Sequence, residues 1–220
     1  DRRRELDVEN RRLQERLRVQ HAEKTRRPVL PLADARANRD RVDFAELPQP
    51  PFTGTRDVEP PIDELVPYID WQFFFHVWDL KGKFPAILEQ PAARELYADA
   101  RDVLDTIVAE AAFAAHGVHG YWPAAQDGDD VVLDDGTRVC FLRQQAAYGD
   151  SRPNRCLADY VSPANDHVGA FAVGIHGADE LGARFEAEHD DYRSIIAKAL
   201  ADRFAEAFAE LLHQRVRRAW

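Results

Sequence analysis

The 220-residue chain has no methionine, two cysteines and three serines, and no apolar run approaches the roughly 18 residues that a membrane span needs. Cys140 and Cys156 cannot build a disulfide framework, and they have no zinc-ribbon spacing. A reducing cytoplasm is the expected setting, with both thiols buried as small hydrophobes. The opening stretch "DRRRELDVENRRLQERLRVQ" has no apolar core and is not a secretion signal. It begins at Asp1, as a fragment or processed chain would. No Gly-x-Ser-x-Gly elbow, phosphate loop or Gly-x-Gly-x-x-Gly turn occurs, which removes the common hydrolase and nucleotide-binding signatures.

Positive charge is also short, and unevenly placed. Residues 1–27 hold ten Lys/Arg against six Asp/Glu, a net of +4, so the rest must carry −14 to reach the overall −10. A body that acidic repels a phosphate backbone, which argues against nucleic acid as a partner. The basic leader does not reverse this, because its charges alternate as they do on a solvated helix.

What is present reads as an α+β domain, with a mainly antiparallel sheet and long flanking helices, preceded by a helical linker. Residues 1–26 form a charged helix with a thin stripe at Leu6, Leu13 and Leu17, which must lie on this domain or on something before it. Pro28 and Pro31 break it, and a shorter helical patch covers 33–41. The proline-rich stretch 47–61 reads as an extended connecting arm. Residues 91–115 show a strong helical stripe through Leu96, Ala100, Val103, Leu104 and Ile107, and the glycines of "HGVHGYWPA" suit its C-terminal cap. "DDVVLDDGTRVCFLRQQ" has the pattern of a β-hairpin, and "DHVGAFAVGIHG" that of a buried strand. One long helical region closes the chain, with Ile196, Leu200, Phe204, Ala207 and Leu211 on its core side. Helices and hairpin strands are segregated rather than alternating.

Few residues stand out for chemistry. His116 and His119 lie in what reads as a Gly-rich turn, without a third ligand at zinc spacing. "DGDDVVLDDG" lacks the frame and closing Glu of a calcium loop. Asp70 heads the run "YIDWQFFFHVWDLKGKFP" (68–85), either as a helix N-cap or as a binding carboxylate against aromatic walls. Asp202 and Glu206 stand four apart opposite the core stripe of the last helix, as a solvated face or as a functional acidic pair.

The blocks "YIDWQFFFHVWDLKGKFP", "LRQQ" (142–145), "CLADYV" (156–161), "GAFAV" (169–173) and 189–217 occur in one order. Together they closely resemble the C-terminal activation domain of cobalamin-dependent methionine synthase. The resemblance spans 28–220, and residues 1–27 look like the linker from a preceding cobalamin-binding domain. It implies a cytoplasmic module of a methyltransferase that is not catalytic alone. Such a module presents S-adenosylmethionine to a stranded cob(II)alamin while a flavodoxin-type donor supplies an electron, with no membrane partner. The resemblance makes Asp70 a contact of S-adenosylmethionine. It sets Asp202 and Glu206 against the cobalamin domain, where carboxylates can hold its displaced histidine as imidazolium. Cobalamin itself is bound by the other domain. The family's Arg-x-x-x-Gly-Tyr-Pro motif and a later Tyr lie beyond the block ending at Trp220, so half of the ligand site is expected outside these residues. The alternative is a non-catalytic interaction domain that docks on a cobalamin-binding domain without binding S-adenosylmethionine.

Overall fold

A computed structural model describes residues 2–23 and 29–220. The expected linker boundary after residue 27 lies outside the described residues. Helix α1 (Arg2–Glu23) carries the predicted leucine stripe, but Leu6, Leu13 and Leu17 are all about half exposed, so the rest of the domain does not cover them. Helix α2 (Leu32–Ala37) is shorter than its predicted span.

The sheet is antiparallel throughout and is organised by one long strand, β2 (Ala114–Asp127). Along one side of β2 lie β1 (Gly54–Val58) and then β3 (Asp130–Leu133), which continues through a tight hairpin to β4 (Arg138–Cys140). Along the other side lies β5 (Asp166–His176), in register from Ala114↔His176 to Ala124↔Asp166. The predicted hairpin is thus present.

Several boundaries fall elsewhere. Helix α5 (Pro91–Ala109) stops short of residue 115, because Glu110 caps it and Ala111 turns to φ 48°. The Gly-rich segment after it is the central strand rather than a cap. Its glycines serve packing: a Cβ on Gly117 would stand 2.7 Å from the Phe208 ring. The proline-rich arm is not wholly a connector either, since it contains β1. Strand β5 is not buried, for Gly169 to Ala172 are exposed. The closing helical region is two helices, α6 (Ala178–Ala187) and α7 (Asp191–Ala219). The break between them is enforced by His189 at φ 61° and by Asp190, whose carboxylate accepts the Arg193 amide at 2.9 Å as an N-cap.

Helix α7 runs across one face of the sheet, and α5, α6 and the short helices α3 (Ile62–Leu65) and α4 (Trp71–Val77) gather around it. Its predicted stripe is the centre of the core: Ile196, Leu200, Phe204, Ala207 and Leu211 are all buried. Full burial of each large side chain contributes about 1.5–3 kcal/mol. They pack with Phe74, Phe75, Leu104 and Ile107.

A second, smaller cluster lies under the hairpin around Ala124, Val131, Cys156 and Ala158. Cys156 is buried as expected, but Cys140 sits exposed on β4. The "LRQQ" and "CLADYV" blocks meet here. Arg143, with 1% of its side chain exposed, bonds Asp159, at 0%, through both terminal nitrogens at 2.8 and 2.6 Å. Its Nε reaches Asp129 at 2.8 Å, and Asp129 also takes Arg36 of α2 at 2.8 Å. Asn154 and Asn38 exchange further bonds, so residues 29–41 are strapped to 143–155. Burial alone would raise the pKa of Asp159. The Arg143 bonds, the Cys156 amide and the guanidinium charge outweigh it and hold the carboxyl below its ordinary value.

A carboxyl whose folded pKa is depressed stabilises the fold above its unfolded pKa of about 4, and that contribution is lost as pH falls through the folded value. Asp159→Ala removes the bidentate partner of the buried Arg143, leaving it only the carboxylate of Asp129, which Arg36 shares, and should cost about 3–5 kcal/mol at neutral pH. In urea titrations from neutral pH down through the carboxylate range, the wild type should lose stability more steeply than the variant. Parallel profiles would show that the pair contributes nothing.

Candidate functional site

The sequence "IDELVPYIDW" folds as α3, a 3-10 turn (Val66–Tyr68) and then α4, with Asp70 at the N-cap. Asp70 has extended backbone angles, φ −83° and ψ 98°, and its Oδ1 accepts the Gln72 amide at 2.8 Å. Asp70 is therefore a cap, and its side chain stands in solvent instead of against aromatic walls. Its Oδ2 has no partner among the described residues.

The aromatic run divides by helical phase. Trp71, Phe74 and Phe75 are buried, whereas Phe73 and Val77 are 51% and 56% exposed. Gln72 fastens the following loop by donating to the Gly82 carbonyl at 2.7 Å and accepting the Phe84 amide at 2.7 Å.

Asp202 and Glu206 are both exposed on the outer side of α7, opposite the buried stripe. They are not equivalent. Asp202 makes no hydrogen bond or ion pair among the described residues, while Arg203 grips Glu206 with two bonds at 2.8 and 3.1 Å. The Arg203 side chain is only 12% exposed, and its Nε is buried without a partner. Its guanidinium carbon lies 5.7 Å from the centre of the Phe73 ring. Phe73 is three residues beyond Asp70, one turn along α4.

The packing of α4 on α7 thus joins, through Phe73 and Arg203, two acidic positions that are 132 residues apart in the chain. Sequence reasoning named the carboxylates but passed over these two residues. Phe73 is one residue of an apolar run and Arg203 one of many charges on a helix, so neither stands out in the sequence.

The histidines are placed differently from expectation. His116 and His119 lie on β2, three apart and so on opposite faces of the strand. His116 Nδ1 is 3.1 Å from Glu59 Oε1, and His119 stands edge-on to Phe52. No group of three or more metal-ligating side chains is assembled among the described residues. A groove of about 490 Å³ opens at the end of α7 between Pro48, Tyr121, Gly169, Phe171, His213 and Trp220. It includes none of Asp70, Asp202 or Glu206. The groove offers a ligand no carboxylate, whereas the surface of α4 and α7 exposes Asp70 and Asp202.

The chain is similar to known proteins over most of its length. The family model described as "Vitamin B12 dependent methionine synthase, activation domain" matches residues 61–220. A solved structure titled "Crystal Structure of the MetH Reactivation Domain bound to AdoHcy" is 43% identical, with a TM-score of 0.75 over 86% of this chain. The match spans 64% of that longer chain.

The cap role of Asp70 can be separated from any binding role. Asp70→Ala removes the capping oxygen and should lower stability by about 0.5–2 kcal/mol, whereas Asp70→Asn keeps an acceptor and should change it by much less. Thermal unfolding of both variants reads the difference, and an equal loss in the two would contradict the cap assignment.

Proposed function

This chain belongs to the activation-domain family of vitamin B12-dependent methionine synthases, and on that premise we propose that it binds S-adenosylmethionine at Asp70. Binding there serves the reductive methylation of inactive cobalamin held by a cobalamin-binding domain of the same polypeptide. The observation that carries the reading is the carboxylate of Asp70, half engaged as a cap and half open to solvent one turn before an exposed aromatic ring. S-adenosylmethionine carries an ammonium and a sulfonium. An open carboxylate oxygen suits the first and an aromatic face the second. The AdoHcy bound to the neighbouring structure, the same skeleton without the transferable methyl, supports the ligand class. When bound, the ligand supplies the methyl group. This chain's residues hold and orient it and carry out no bond-making themselves, so the module works as part of a methyltransferase. The electron comes from a flavodoxin-type donor, and the setting is cytoplasmic.

Asp202 and Glu206 face the cobalamin domain in this reading, and their asymmetry assigns them different parts. Asp202 is the open acceptor for an imidazolium, and Glu206, already neutralised by Arg203, frames it. A second reading, a docking domain without ligand, is favoured by one observation: Asp70 is the single ligand-facing charge this surface offers on α4.

Two measurements decide between these readings. In calorimetric titrations with S-adenosylmethionine, made on the chain extended through the family's Arg-x-x-x-Gly-Tyr-Pro segment, Asp70→Asn should weaken binding by about 1.5–3 kcal/mol, the range for a charge-assisted hydrogen bond. Absence of binding by the wild type, or equal affinity in the variant, would favour the docking reading. In the full-length enzyme, Asp202→Asn with Glu206→Gln should spare turnover with methyltetrahydrofolate and depress reductive reactivation, with Asp202→Asn alone accounting for the larger share. Equal loss of both activities, or of neither, would leave only a solvated helix face.

A further inference from the structure

Arg203 stands apart from the other paired cations of α7. Its side chain is 12% exposed, against 52% for Arg193, 50% for Lys198 and 40% for Arg215. Its guanidinium lies beside the Phe73 ring, both terminal nitrogens bond Glu206, and Nε is buried without a partner among the described residues. A buried donor left unsatisfied costs stability. An i,i+3 pair between exposed side chains forms without that cost, but it opens and closes freely. Burial removes most of this freedom and keeps the guanidinium on Glu206, whose own side chain is 60% exposed. Asp202, four residues before Glu206 and exposed on the same side of α7, has no partner among the described residues. Glu210, one turn beyond Glu206, is also exposed and unpaired among them, but it stands eight residues from Asp202, about 12 Å along the helix.

Resting on the reading of Asp202 as the imidazolium acceptor, we propose that Arg203 is the specificity-determining residue of this surface. It closes Glu206 to an incoming cation and so makes Asp202 the carboxylate that receives it. The reason is electrostatic. A second cation beside Glu206 meets the guanidinium together with the carboxylate, and the two contributions cancel. Asp202 keeps its whole charge one turn away. Without the guanidinium, two open carboxylates stand roughly 5–6 Å apart at their Cβ atoms, and either can hold the imidazolium. Removing Arg203 therefore makes Asp202 dispensable. Because Glu206 is exposed, water takes the place of the lost guanidinium, and no buried charge is left unpaired.

The experiment measures how far Asp202→Asn depresses reductive reactivation of the full-length enzyme in several backgrounds, each rate taken relative to the same background with Asp202 present. With Arg203 intact, the loss should be at least about tenfold. In Arg203→Met, which removes the charge and keeps an apolar stem, the loss should shrink below about threefold. Adding Glu206→Gln to that background should bring the larger loss back. Arg203→Lys, which keeps a charge within reach of Glu206, should preserve the larger loss, as should Glu210→Gln. Far-ultraviolet circular dichroism checks that each protein is folded, and Arg203→Gln repeats the measurement should Arg203→Met unfold. A merely structural Arg203 would lower both rates of a background alike and leave their ratio unmoved. A loss undiminished in both Arg203→Met and Arg203→Gln, or a diminished loss that survives Glu206→Gln, would overturn this proposal and leave Asp202 as the acceptor. Absence of any loss with Arg203 intact would overturn both.

Discussion

The close seating of α7 on β2 is the constraint from which the remaining geometry follows. At the crossing, Phe208 of α7 lies where a side chain on Gly117 would have to be, 2.7 Å from the ring. Any Cβ there would force helix and sheet apart, and close-packed interiors tolerate such displacement poorly. With the helix held down, its buried stripe from Ile196 to Leu212 gathers α5 and the short aromatic helix α4 into one core. The opposite side of α7 is turned outward, and that side bears Asp202 and Glu206.

The acidic surface is a consequence of that core. Trp71, Phe74 and Phe75 bury themselves against it, which leaves Phe73, His76 and Val77 facing out, with Phe73 beside Arg203. Arg203 is itself largely covered, so the Glu206 pair is held more firmly than an exposed helix-surface pair, whose worth is typically about 0.3–0.5 kcal/mol. Asp70 at the start of α4 and Asp202 on α7 each leave carboxylate oxygen unpaired among the described residues, and Phe73 with Arg203 joins the two helices.

The hairpin end of the sheet is held by different physics. Its apolar cluster is small, and the buried Arg143–Asp159 pair, with Asp129 and Arg36, ties together four segments distant in sequence. A buried pair of this kind gains little over an apolar substitute, but it is costly to break on one side only. Its effect is to make the arrangement of these loops specific. The "LRQQ" and "CLADYV" blocks therefore read as a structural clamp, distinct from the acidic surface on α4 and α7.

The amino-acid sequence by itself determined the long helices, the hairpin, the core stripe of α7 and the three carboxylates, because helical and strand periodicities are local and survive without any partner. Its motifs were also sufficient to point to the family. It did not determine that "HGVHGYWPA" is the central strand, since glycine there meets a demand made by Phe208 from 91 residues away, and locally it looks like a helix stop. Nor did it show that α4, which Asp70 caps, meets α7 at Arg203, the partner of Glu206. Only the docking of α4 on α7 decides that, by bringing Phe73 and Arg203 together.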